Sequence, residues 1–316
     1  MSKKRTPFQV SKTYRRLSKT RPVQQFTNLS ERARSSTSLN YSLLSYHEVP
    51  TWMQENAYIL HYYLPVSTST ISCFKNIFKL HNQTGNIWTH LLPSLIFIYS
   101  IWRHNIIPDF YFTEPDIEKL LLNFYKISAL ICFTCSWVYH SHVNHQHMYA
   151  SCLTADISGI VIMITGCTIS WLYYSFFCYK FLRRLYMSIS SIFGVIFVIC
   201  NTLKVFQERR KMNACLLISL VASSIIPLCH LIINNNGFKE NWDNWHWKEL
   251  LAMFLSYMTG TFFYIFRFPE VVSPGSFDLF FNSHQLFHIF VVFGAYFHMV
   301  GLNGLQKDRY MMGNVC

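Results

Sequence analysis

Charge is scarce in this sequence: Asp, Glu, Lys and Arg make up 13% of its 316 residues, against roughly 25% in an ordinary soluble domain. That shortage excludes a chain whose whole surface is wetted. Cysteine pairs are missing as well. The ten cysteines are scattered singly, and Cys132, Cys135, Cys167, Cys200, Cys215 and Cys229 sit inside apolar runs. Their spacing matches neither a disulfide framework nor a cysteine-based zinc site, so most read as small apolar packing residues. The N-terminus has no apolar h-region, and no cleaved signal peptide is expected. No inverted internal repeat is visible, which removes the usual mark of a secondary transporter.

Apolar and aromatic residues are plentiful, at 51% and 17% of the chain. Seven runs stand out, at about Ile87–Trp102, Leu121–Tyr139, Ile157–Phe177, Leu185–Leu203, Ala214–Ile233, Leu250–Phe266 and His284–Leu302. At about 1.5 Å of rise per residue such runs suit a hydrocarbon core roughly 30 Å thick. The sequence therefore predicts an all-α, seven-transmembrane helix bundle over residues 87–304, a multi-pass integral membrane protein. Residues 46–86 precede it as an interfacial, amphipathic segment, and residues 305–316 follow as a short exposed tail. In "STISCFKNIFKLHN", Ile71, Phe74, Ile77, Phe78 and His81 share one helical face and Lys75 and Lys79 lie off it, as in a helix resting on a membrane surface.

Residues 1–45 are basic, Ser/Thr-rich and without apolar periodicity, and they supply most of the net charge of +12. They read as a disordered cytosolic tail whose partner is the anionic lipid of the inner leaflet, not nucleic acid. With the N-terminus cytosolic, 17 Lys/Arg fall on the inner side and nine on the outer, so the charge bias predicts N-in and C-out. "KFLRR" is the one loop that disagrees. Seven spans in this orientation are inverted relative to G-protein-coupled receptors, and no DRY-like triplet closes span three.

The polar residues that interrupt the spans carry the chemistry. In "FFNSHQLFHIF", His284 and His288 lie four apart, so their rings share a helical face. In "CSWVYHSH", Ser136 and His140 are likewise four apart, at the end of span two. Asp156 opens span three in "TADISGI". The predicted topology brings these three span ends to one depth on the cytosolic side. Ionisable groups in a span are costly and face the bundle interior or a watery cavity. Three histidines with an open fourth position form the ligand set of a hydrolytic zinc site. Asp156 suits a proton acceptor or a partner to a ligand, and Ser136 suits a group that steadies a carbonyl oxygen. His142, His145 and His147 read as a solvated run, His230 lies on the wrong side, and His81 and His90 flank span one with no partner at helical spacing.

"TGNIWTHLLP", "SWVYH", "DISGI", "SWLYYSFFC" and "FPEVVSPGSFDLFFNSHQLFHIFVV", in that order, resemble the progestin and adipoQ receptor family. The likeness runs over about residues 46–310, and "GLQKDRY" leans toward its adiponectin-receptor branch. The resemblance implies zinc as cofactor, held by His140, His284 and His288 near the inner leaflet, with Asp156 and Ser136 as catalytic residues. It also implies a role in lipid metabolism or zinc homeostasis, by way of distant relatives that hydrolyse ceramides. A membrane lipid such as ceramide is then the candidate substrate, in the plasma membrane or the endoplasmic reticulum. Ile157 and Val271 depart from the family pattern, and the loop after His140 is shorter; none of these removes a ligand. A receptor with a structural zinc ion, and a zinc sensor or transporter, are the alternative functions.

Overall fold

The computed structural model describes residues 42–107, 115–203, 210–234 and 246–313; the predicted tail, up to residue 41, lies outside them. Among the described residues eight α-helices follow one another: α1 (Thr70–Asn76), α2 (Thr84–Ile106), α3 (Pro115–Ser141), α4 (Tyr149–Ser175), α5 (Lys180–Thr202), α6 (Arg210–Asn234), α7 (Trp247–Phe266) and α8 (Ser283–Met312). The last seven coincide with the seven predicted spans. Among the described residues the only β pairing is two isolated bridges, Leu44 with Tyr63 and Ser67 with His145. Five helices (α3, α4, α5, α7 and α8) are long and apolar enough on their own to cross a bilayer, and Ser219–Ile233 of α6 is a shorter apolar stretch.

The helices are inside-out by the standard of soluble proteins. Leu95, Ile96 and Ile98 of α2, Ile192, Val195 and Ile199 of α5, and Phe254, Leu255 and Met258 of α7 are all exposed, giving the continuous apolar belt that a lipid solvent accepts and water does not. The core lies between α2, α3, α4 and α8, where Phe97, Tyr125, Phe133, Met163, Tyr173 and Ala295 interlock. α7 packs on α8, α8 on α2 and α4, and α3 on α4. Gly159 matters here, because a Cβ there would stand 3.0 Å from the Cys132 Cα. Only a residue without a side chain lets α3 and α4 approach so closely.

Four features differ from the sequence reading. α4 starts at Tyr149, so Asp156 sits about two turns inside the helix instead of at its mouth. α8 runs on to Met312, with Leu305, Gln306 and Arg309 buried, beyond the expected end of the core at 304. α1 is only seven residues long, and the predicted apolar face is split. Ile77 and His81 turn into the protein while Ile71, Phe74 and Phe78 stay exposed, because the side of α1 that packs down carries Cys73 and Asn76. Finally, Cys178 is disulfide-bonded, whereas Cys73, Cys132, Cys135, Cys152 and Cys167 are the free, largely buried packing residues expected.

Candidate metal centre

The chain end before α2 is not a loose approach to the bundle. Asp278 accepts hydrogen bonds from the backbone of Leu60 at 3.0 Å and of His61 at 2.9 Å. Glu270, fully buried, accepts from the Asn56 side chain at 2.9 Å, from the Ser283 backbone at 2.8 Å and from the Ser283 hydroxyl. Asn282 caps α8 by accepting from the Gln285 backbone at 3.1 Å. "FPEVVSPGSFDLFFN" is thus a clamp that ties residues 56–61 to the first turn of α8, the turn that carries His284.

Against that fixed turn stand the histidines of α3 and α8. One nitrogen from each of His140, His284 and His288 lies within 4.8 Å of the other two. The Nε2 atoms of His140 and His284 are 3.2 Å apart. That is hydrogen-bond distance when one of them carries the proton. It is also close to the ligand-to-ligand edge of a tetrahedron, about 3.3 Å for bonds of 2.0–2.1 Å. His140 Nδ1 faces Gln83 Oε1 at 2.9 Å. His288 Nδ1 faces the Asn86 carbonyl at 3.2 Å and the Thr89 hydroxyl at 3.2 Å. A carbonyl only accepts, so both rings carry their proton on Nδ1 and turn a bare Nε2 lone pair inward, the state a metal ligand needs. His140 and His288 are buried, and no carboxylate is a member of the cluster. The residues fit a divalent ion of zinc's preference for imidazole nitrogen.

Asp156 and Ser136 meet across the α3–α4 contact, with the Ser136 hydroxyl a hydrogen-bonding neighbour of the Asp156 carboxylate. Gly159 lies three residues after Asp156 and Cys132 four before Ser136, so the close approach at Gly159 is what sets this pair side by side. The structure accordingly brings together the three predicted ligands as one group and the two predicted catalytic residues as another.

Other members of the site were not visible in the sequence. Gln83 and Asn86 precede and open α2, and the Asn86 side chain donates to Gln83 Oε1 at 2.7 Å. The "QTGNIWTH" segment shows their presence but not the reach of Gln83 across 57 residues to His140. His90 is buried with both ring nitrogens unpartnered and stacks on His288, centroids 3.8 Å apart and planes 7° from parallel; its partner lies on another helix, where helical spacing could not reveal it. His142 and His145 are buried rather than solvated, because the loop folds onto α1: Phe74 meets His142 edge-on at 4.9 Å, and Asn144 donates to the Pro65 carbonyl at 2.7 Å. His147 remains exposed.

Beside His140 and His284 opens a cavity of about 280 Å³. Glu55 stands at its mouth, its Oε1 accepting from the hydroxyls of Tyr139 at 2.5 Å and Tyr149 at 3.0 Å, and Arg267 donates to the Glu55 backbone carbonyl at 3.2 Å.

Comparison with known proteins places these features in a family. Residues 78–299 match the family model described as Haemolysin-III related. The chain is 32% identical to the ADIPOR-like receptor IZH2 of Saccharomyces cerevisiae, over 94% of this chain and 98% of that protein. It is 31% identical to the adiponectin receptor protein of Drosophila melanogaster and 29% identical to heptahelical transmembrane protein 1 of Arabidopsis thaliana, the latter over 81% of this chain and 79% of that protein. It covers 86% of its own length in the Drosophila match but 61% of that relative's.

Proposed function

The chain belongs to the Haemolysin-III-related family of progestin and adipoQ receptor-like membrane proteins, and from that premise we propose that His140, His284 and His288 hold a zinc ion that serves hydrolysis of a lipid amide. The observation that carries this reading is the pair of inward Nε2 atoms 3.2 Å apart, with the protons of His140 and His288 fixed on the far side of each ring. A zinc ion, when bound by such a set, supplies Lewis acidity to a carbonyl and acidity to water. The rest falls to the chain. Asp156 takes the proton from the attacking water. Ser136 holds the aspartate in place by donating to it, and once Asp156 carries the proton the hydroxyl accepts from it and turns its own hydrogen to the oxygen on which charge develops. Gln83, Asn86 and Thr89 keep the rings in register. The substrate, a ceramide or a related amide, enters from the bilayer.

The same reading places the histidine end at the cytosolic face, in the plasma membrane or endoplasmic reticulum. It allows a role in zinc homeostasis through the same ion. A second reading is supported by the position of the triad, which joins the end of α3 to the start of α8: the ion then ties the bundle together and the protein signals by conformation, without hydrolysis.

Asp156→Ala separates the two. In purified protein, the catalytic reading expects zinc to remain bound while fatty acid release from a ceramide falls by at least about a hundredfold, the typical worth of a general base. Full activity in that variant removes Asp156 from the chemistry. Stoichiometric zinc with no release from any ceramide by the unaltered protein supports the conformational reading.

A further inference from the structure

The first turns of α2 hold one ring of the triad from two directions. Along its edge, His288 Nδ1 faces the Asn86 carbonyl and the Thr89 hydroxyl, both at 3.2 Å. Across its face lies His90, with ring centroids 3.8 Å apart and planes 7° from parallel. The other two rings of the triad meet His288 at an angle instead, His140 at 67° and His284 at 58°. Phe133 of α3 closes on His90 with centroids 5.0 Å apart and planes at 60°, so the ring is fixed between two neighbours. His90 is 3% exposed, and neither of its ring nitrogens has a hydrogen-bond partner. Burying two polar atoms in this way is unfavourable, and a leucine at the same place would pack without that cost.

His90 is no fourth ligand. An imidazole binds an ion through a lone pair that lies in the plane of its ring, and two near-parallel planes stacked this closely cannot both contain one ion. What His90 offers is its face. Two neutral rings stacked nearly face to face gain little, because aromatic pairs favour offset or edge contacts over opposed electron-rich faces. The balance reverses when a cation on Nε2 draws electron density from His288. The drained ring then meets the electron-rich face of His90 much as a cation meets an aromatic ring. We propose that His90 is a positioning residue for the ion: it fixes the plane of His288 and, by stacking, favours the loaded site over the empty one. This role rests on the reading that the triad binds zinc, and is independent of whether hydrolysis follows.

The test uses full-length protein in detergent. Zinc affinity is measured by competition with a chelating dye, and thermal unfolding of the chelator-stripped protein is followed in parallel. His90→Leu removes the ring face and should weaken zinc about three- to tenfold, the worth of an aromatic pair. It should not lower the unfolding temperature of the stripped protein, since two bare nitrogens leave with the ring. His90→Phe restores a flat face without nitrogens and should bind zinc within about twofold of the unaltered protein. With cobalt in place of zinc, the visible ligand-field bands should shift in His90→Leu and hold their position in His90→Phe. Zinc bound as tightly in His90→Leu as in the unaltered protein would overturn the role. Equal weakening in both variants would overturn it too, and assign the effect to the nitrogens. If His90→Phe does not fold, His90→Leu decides: weaker zinc with an unchanged stripped protein sustains the role, and losses in both measurements reduce His90 to packing. Zinc absent from the unaltered protein removes the zinc reading and this role with it, whereas zinc bound without ceramide hydrolysis leaves the role standing.

Discussion

His140 is available to an ion only through Nε2, because Nδ1 donates to Gln83 Oε1 at 2.9 Å. Partners of this kind typically contribute ten- to hundredfold to metal affinity. Gln83→Leu should therefore lower zinc affinity by about ten- to a hundredfold, measured by competition with a chelating dye, while Gln83→Glu, which keeps an acceptor oxygen in place, should bind zinc at least as tightly as the unaltered protein. Unchanged affinity in Gln83→Leu would show that the ring is oriented by packing alone. At this scale the sequence was legible where grouping follows helical spacing: His284 and His288 lie four apart, announce a common face, and do converge with His140. It was silent on Gln83, Asn86 and His90, whose partners lie on other helices. It also misplaced His142 and His145 in solvent, since nothing local tells a buried histidine loop from a wet one.

At the scale of elements, the apolar runs located every long helix because a lipid solvent demands unbroken hydrophobicity, a stronger signal than any amphipathic pattern. The clamp was not legible. Its anchors, Glu270 and Asp278, are carboxylates that take up backbone and side-chain hydrogens of residues more than two hundred positions away. Glu270→Ala would strand the Ser283 backbone N–H and the Asn56 amide, and a loss of about 2–4 kcal/mol is expected, read as a lowered thermal unfolding temperature in detergent; no change would mean that water replaces the carboxylate without penalty. The turn into α2 adds a pH dependence. His81 is buried, accepting from the Gln83 backbone on Nδ1 at 3.2 Å and paired with the Asn76 carbonyl through Nε2 at 3.0 Å, and burial holds its pKa down to about 4. The unfolded chain takes up a proton near pH 6.5 that the native state refuses. His81 thus costs nothing above about pH 7 and destabilises progressively as pH falls from about 6.5 toward 4, by at most about 3 kcal/mol. Unfolding temperatures at pH 7 and pH 4.5 should converge in His81→Gln relative to the unaltered protein.

For the whole molecule the open quantity is its sense in the membrane. Lys and Arg counts predict a cytosolic N-terminus, with "KFLRR" dissenting, and the structure gives a reason to discount that loop. Arg183 lies over the rings of Tyr173 at 4.7 Å and Phe177 at 5.2 Å, and Arg309 lies over Phe177 at 3.5 Å. Guanidinium groups held on aromatic faces serve packing, so their charge weighs less in setting topology. Cys178 points the same way. It follows the end of α4 remote from Tyr149, and its disulfide belongs to an oxidising compartment. With Cys178 on the outer side, the end carrying His140, His284 and Glu55 is expected on the cytosolic one. Glycosylation mapping in microsomes tests the orientation directly. An acceptor sequon added after residue 313 should be glycosylated and one placed within residues 1–41 should not, while Cys178 should resist alkylation until reduced. The opposite glycosylation pattern would turn the molecule over and set the histidine triad at the lumenal or outer face.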